Sequence, residues 1–430
     1  MIGSPQKADR IAIVGAGVGG LSAAHYLKRQ GYSNVDVIEK SAAVGGKVQT
    51  INHSEDKYEL GAVLIPRKYI HLKELLGEFE VELAPIKSRY YYKVKDEKKK
   101  DLLRLMLFEN GAAESLRQIN RLKNLARQYA HIEEPGFGRV PKELMLPFSE
   151  FTLNRGINGL LKPLSSMLTG TGYGFTDVVP AVYLAKFFSM IMDIGICEIK
   201  SNISSHWSTP YYTTKGNLQE IWHKIAAKQN MIYNAEVNKI TRNSQGIELS
   251  INEKSHQYDW CLMATDCQTT QNILELSDDE KAVFAKVETY RYIVSLIEAE
   301  GIEKGRSIFV EHNCHSSKIN HVSSCLNRKD AAYVTTYQVC DYETPIEELA
   351  QIAEDDLKSL GARSCREVEK KIWNQYFPHY KTQALDEQPY EKLESLQGQN
   401  RTFYVGGLPS FETMETICSY SKETVRRYFK

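Results

Sequence analysis

The hydrophobic positions of the chain change their spacing several times, and each change marks a different kind of element. Ile11–Val14 is an unbroken apolar run of four, as expected for a parallel strand buried on both faces. Val35–Ile38 is a second strand of the same type. Between them Ala24 and Leu27 continue the buried face of a helix, and Gly31 falls where a helix C-cap is expected. From 101 to 204 the spacing becomes helical. Leu116, Ile119, Leu122 and Leu125 recur every three residues and predict an amphipathic helix. Pro180 opens another apolar helix through "AVYLAKFFSMIMDI", whose Phe187, Phe188, Met190 and Met192 read as core or as the wall of a tunnel. Residues 288–340 switch to alternation in β-rich stretches such as "YRYIVSLIEAE" and "AAYVTTYQV", which predict a sheet. "KSRYYYKVK" (87–95) alternates too and reads as a further strand, with Arg89 and Tyr91 on one face and Tyr90 and Tyr92 on the other. A helix over 346–360, apolar at Ile346, Leu349, Ala353, Leu357 and Leu360, stops at Gly361 and covers one face of that sheet.

Glycines and charges give the first apolar run its chemistry. Gly15, Gly17 and Gly20 follow it in G-x-G-x-x-G spacing and lead into the helix. In that setting the first glycine permits the tight turn, the second lets backbone approach a pyrophosphate, and the third lets helix and sheet pack closely. The second strand ends in Glu39, beside Lys40, an acid suited to ribose hydroxyls and unsuited to a 2′-phosphate. A dinucleotide site is expected here, with NADP disfavoured. Downstream, "IYNAEVNKITRNSQGIELSINEKSHQYDWCLMATD" reads as strand, hairpin and strand. The last 30 residues read as a strand at Phe403–Val405, the pair Gly406–Gly407, and a helix from about Thr413 that includes Met414.

Composition narrows the partners. The 430 residues carry 54 basic and 54 acidic side chains, so no global field favours nucleic acid or an anionic membrane. No apolar run approaches the roughly 18 residues of a membrane span. The N-terminus lacks the apolar core of a signal peptide. The eight cysteines form no C-x-x-C pair, and "CHSS" at Cys314 has no second half. We expect no metal site, and reduced thiols in the cytoplasm.

Gly45–Gly46 followed by Lys47, with Thr50 beyond, resembles the glycine pair, arginine and threonine of flavoproteins of the amine oxidase, phytoene desaturase and protoporphyrinogen oxidase group. In that group the basic side chain and its loop contact FAD. The resemblance further implies that "YELGAVLI" passes the flavin ring with Gly61, Ala62 and Val63, and that Val237 makes a backbone contact to adenine. The C-terminal helix then faces the flavin's pyrimidine edge, where its dipole favours negative charge. The usual acid after the glycine pair is missing, since Gly407 and Leu408 stand there. The fold class implied is α/β: a discontinuous Rossmann-like FAD-binding domain of the flavin amine oxidase fold (1–80, 205–285 and 395–430). To it are added a mixed-sheet substrate domain (81–100 and 286–394) and a helical insertion (101–204) lining a substrate tunnel. FAD is expected to be bound non-covalently, as no cysteine adjoins Gly406–Gly407.

"ELMLPFSEF" (143–151), "GYGFTDVVPAVYLAKFF" (172–188), "NQYFPHY" (374–380) and "TFYVGGLPSFETMETICSYSKETVRRYF" (402–429) resemble the bacterial polyenoic fatty acid isomerase family nearly end to end. That resemblance implies an FAD enzyme that moves a double bond of an unsaturated fatty acid. A hydride passes from a doubly allylic carbon to flavin N5 and returns to another carbon. It also implies that Arg89 holds the carboxylate, with Tyr91 on the same strand face as a second site residue; the aromatic partner of that arginine maps to Ile196. His206, Trp207, Tyr211 and Tyr212 are further candidates for the flavin face. Two other readings stand beside the isomerase. One is an FAD-dependent oxidase or dehydrogenase acting on a small apolar acid, amine or polyene, since the fold hosts all of these. The other is a flavin-binding protein without turnover.

Overall fold

The computed structural model describes residues 4–54, 56–86, 89–93, 100–203, 211–243, 245–329 and 331–430, with the side chains of Arg89 and residues 201–203 outside the description. The two early apolar runs pair in parallel, Ile11 opposite Val35 and Val14 opposite Ile38. They form the middle of a five-stranded parallel sheet ordered Thr402–Tyr404, Trp260–Met263, Ile11–Val14, Val35–Ile38, Asn230–Ile232. Three distant stretches of sequence therefore build one sheet. The helices Val18–Arg29 and Met414–Tyr428 pack against each other on it, and Leu21, Leu27, Ile417 and Val425 are buried in that contact region. The expected hairpin is a three-stranded antiparallel sheet of Val237–Arg242, Ile247–Ile251 and Lys254–Tyr258.

The second large sheet has six strands, ordered Ser364–His379, Glu288–Glu300, Val334–Cys340, Val322–Asn327, Arg306–Val310, Arg89–Lys93. All neighbours run antiparallel except the last pair, where Tyr90 lies beside Ser307 and Tyr92 beside Phe309 in parallel register. The helix Ile346–Ser359 covers one face through buried Leu349, Ala353 and Leu357 and ends before Gly361, whose φ is 110°. Leu83–Pro85 pairs with Tyr211–Thr214.

The insertion is helical, with two departures from its pattern. Leu102–Gln128 is broken at Gly111, which has φ 71° and ψ 168°. Beyond the break Leu122 and Leu125 are buried while Leu116 is 63% exposed. The reason is geometric: a spacing of three drifts around a helix of 3.6 residues per turn, so positions nine apart face opposite ways. The apolar run after Pro180 is two helices, Ala181–Ala185 and Phe188–Ile203. Among the described residues no helix is long and apolar enough to cross a membrane.

Candidate flavin site and adjoining cavity

The glycine fingerprint is built with no space to spare. A Cβ on Gly20 would lie 2.0 Å from the carbonyl oxygen of Gly15, which is how closely helix and turn approach. A Cβ on Gly46 would lie 3.0 Å from Cα of Gly17, so two loops meet backbone to backbone. Glu39 closes the strand Val35–Ile38 and is locked in place: Oε2 accepts from the amide of Ala16 at 2.9 Å, and Oε1 from the amide (3.0 Å) and hydroxyl (2.8 Å) of Ser41. The helix Met414–Tyr428 starts at a capping box in which Thr413 Oγ1 accepts from the amide of Thr416 at 3.1 Å.

These elements border one cavity of about 1000 Å³. Gly15, Gly17, Glu39, Lys40, Gly46, Lys47, Gly61, Ala62, Val63, Val237, Gly406, Gly407 and Met414 all line it. Gly20 does not, its part being the helix–turn packing. Gly61 passes so near the Lys47 carbonyl that a Cβ there would lie 2.1 Å from its oxygen. The Lys47 ammonium donates to the Gln375 carbonyl at 2.7 Å and pairs with the Glu412 carboxylate, which packs beside Gly407. Glu412 was invisible as a site residue in the sequence. It stands five residues after Gly407 in "SFET", and only the return of the chain beside the strand Ser364–His379 brings it to Lys47 and to the amide of Phe377.

From the glycine loops the cavity continues across the face of the six-stranded sheet. Every strand contributes to its floor: Tyr376, Tyr292, Tyr337, Leu326, Phe309 and Tyr90, in sheet order. Five strand spacings of roughly 4.8 Å make that floor about 24 Å wide. The insertion supplies the roof through Met167, Leu168, Tyr173, Phe187, Met190, Ile191 and Ile194. Tyr376 stacks on Tyr292 at 4.5 Å and on Tyr173 at 6.0 Å. Burial pushes the hydroxyl pKa of Tyr90, Tyr173, Tyr292, Tyr337 and Tyr376 above the ordinary phenol value, so these side chains stay neutral donors near pH 7.

Of the expected substrate residues, the structure brings in some and turns others away. Tyr90, not Tyr91, lines the cavity; Tyr91 lies outside it, under the Arg306 guanidinium at 4.6 Å from its ring. Alternation separated the two tyrosines correctly, but the choice of inner face depended on how this edge strand joins Arg306–Val310. Arg89 opens the strand, and its side chain lies outside the described residues, as do His206 and Trp207. Ile196 is 44% exposed and borders no part of the cavity. Tyr211 lines it and Tyr212 does not; Phe188 is core and Met190 is wall. His379 is buried, with Nδ1 2.8 Å from the Phe377 carbonyl oxygen, and burial lowers its pKa to about 4.

A parallel sheet whose first turn offers bare glycine backbone, an acid at the end of the next strand, and a second glycine loop pressed against the first define a dinucleotide-binding flavoprotein. The residues fit FAD, because the bare backbone of Gly15, Gly17, Gly46 and Gly406 borders the cavity and a Cβ on Gly406 would stand in open space. The chain belongs to the flavin containing amine oxidoreductase family, whose sequence model matches residues 18–294, and FAD is its cofactor. A solved CLA-producing fatty acid isomerase from P. acnes is similar over 99% of this chain and 100% of its own, at 25% identity and a TM-score of 0.86. An uncharacterized protein of Acanthamoeba polyphaga mimivirus is 21% identical over 94% of this chain and 90% of its own length. The polyenoic fatty acid isomerase of Ptilota filicina is 37% identical over 85 residues, so the chain spans only 17% of that protein's length.

Proposed function

We propose that this flavoprotein is an isomerase that shifts double bonds of a polyunsaturated fatty acid. The observation that carries the proposal is the shape and lining of the cavity: it starts at the glycine loops and runs as an aromatic and aliphatic channel across a whole sheet. A long apolar chain fits such a channel, whereas a small amine or amino acid would leave most of it unfilled. The full-length likeness to a fatty acid isomerase supports the same substrate class.

When bound, FAD would supply two-electron chemistry, as an acceptor and donor of hydride. The chain's own residues then have three tasks. Gly15, Gly17, Gly46, Glu39 and the start of the helix Met414–Tyr428, which border the cavity, would hold the cofactor. The channel wall excludes water and fixes the acyl chain, since transfer needs a near-attack approach of about 3–3.5 Å. Tyr376, Tyr292 and Tyr173 supply flat apolar faces against the unsaturated segment while their hydroxyls remain protonated. Arg89 is the proposed anchor of the carboxylate, for which a guanidinium gives bidentate geometry.

The test is a parallel assay in air. Protein carrying FAD is mixed with linoleic acid, and conjugated-diene absorbance and hydrogen peroxide are followed together. Diene without peroxide is expected. Peroxide in step with substrate loss would make the protein an oxidase instead.

A further inference from the structure

The strand Ser364–His379 contains an anomaly where it borders the cavity. Gln375 and Phe377 both take left-handed backbone, with φ of 56° and 52°, and neither is glycine or asparagine. Side chains rarely adopt this region, and it persists only where the surroundings over-determine it. The residue between them is Tyr376, the aromatic face at the flavin end of the channel.

The strand is bulged here against Glu288–Glu300, with Tyr376 opposite Tyr290 and the Gln375 amide donating to the Tyr342 hydroxyl at 3.2 Å. Two further contacts come from the cofactor side. The Lys47 ammonium donates to the carbonyl of Gln375 at 2.7 Å, and the Glu412 carboxylate accepts from the amide of Phe377. Lys47 and Glu412 are paired with each other, so one ion pair grips both flanks of Tyr376. The Lys47 ammonium also sits 5.2 Å from the Tyr376 ring centroid. Lys47 directly follows the Gly45–Gly46 pair, and Glu412 directly precedes the capping residue of the helix Met414–Tyr428. Tyr173 of the insertion donates its hydroxyl to the Glu412 carbonyl at 2.9 Å. All three parts of the molecule meet at this pair.

We propose that Lys47 and Glu412 are positioning residues: their ion pair clamps the Gln375–Phe377 backbone so that Tyr376 faces the channel, and it ties the shape of the substrate wall to the cofactor loop. Released from the pair, the strand relaxes toward extended backbone and Tyr376 turns off the wall. The kinetic part of this proposal rests on the isomerase reading; the conformational part does not.

The experiment uses Glu412→Gln, Lys47→Met, Lys47→Arg and Tyr376→Ala in full-length protein, with activity normalised to bound FAD. Hydrogen exchange by mass spectrometry over residues 374–380 reads the clamp without turnover. The expected result is exchange at the Phe377 amide at least about tenfold faster in Glu412→Gln, with the five-stranded sheet unchanged. For conjugated-diene formation, Glu412→Gln and Lys47→Met each lose about 10²-fold in kcat/KM, the scale of a misplaced reactant. Each loses little more once Tyr376→Ala is present, and Lys47→Arg recovers most of the rate. Wild-type exchange at Phe377 in Glu412→Gln, or losses fully additive with Tyr376→Ala, overturns the proposal. If Lys47→Met sheds its FAD, the Glu412→Gln exchange and the Glu412–Tyr376 cycle decide alone. A wild type that forms no diene removes the isomerase reading, while the exchange result still decides the clamp.

Discussion

Gly172 shows how tightly single positions are specified around the channel. Its φ is 91°, and a Cβ there would lie 2.7 Å from the Tyr376 ring and 2.8 Å from that of Tyr292. Gly172→Ala is expected to cost about 1–3 kcal/mol as an overpacked site, read as a lowered urea midpoint, and to disturb the stacked tyrosines. A stability equal to wild type would mean the rings have room to move. At the cofactor end, Glu39→Ala removes the carboxylate that braces both the first glycine turn and Ser41. The variant should purify with less flavin per chain than wild type, a ratio measured directly by absorbance. Arg89→Ala should raise KM for free unsaturated acids by about tenfold or more while leaving methyl esters nearly unaffected, since only the acid carries the charge that a guanidinium binds. Equal effects on both would remove the anchor.

Elements differ in how much of them the sequence discloses. The Ile11–Val14 strand, its glycine turn and the Glu39 strand end were legible because their signals are local: an apolar run, fixed glycine spacing, an acid at fixed distance. The strand Arg89–Lys93 was legible as a strand and illegible in its facing, because period 2 says which residues share a face and not which face is inside. Nothing in "NQYFPHY" announces left-handed backbone at Gln375 and Phe377; that conformation accompanies a bulge against Glu288–Glu300 and the grip of Lys47 and Glu412, 328 and 35 residues away along the chain. The contact between the helix Phe188–Ile203 and the strand Arg89–Lys93 carries a pH signature. Glu198 is buried there, with Tyr92 donating to its Oε2 at 3.4 Å, and burial raises its pKa to about 7 from an ordinary 4.5. The folded state therefore keeps this proton where the unfolded state has lost it. Stability contributed at this site falls as pH rises from about 4.5 to about 7, then levels off. Glu198→Gln should remove that decline, so the difference in melting temperature between variant and wild type should grow from pH 5 to pH 8. A difference independent of pH would show that Glu198 does not titrate in this window.

Taken whole, the molecule joins a cofactor half that is written in contiguous motifs to a channel half assembled from side chains scattered between Tyr90 and Tyr376. That asymmetry explains why FAD could be read from a few glycines while the channel wall needed the fold. The proposed isomerase reaction carries a chemical consequence: hydride would leave and return within one channel, so no electrons would leave the protein. The most direct test is anaerobic turnover. With oxygen removed and linoleic acid in large excess over enzyme, an isomerase is expected to form many equivalents of conjugated diene per flavin, with the oxidised flavin spectrum retained throughout. Bleaching of the flavin after a single equivalent of substrate, with no further product until oxygen is admitted, would contradict it.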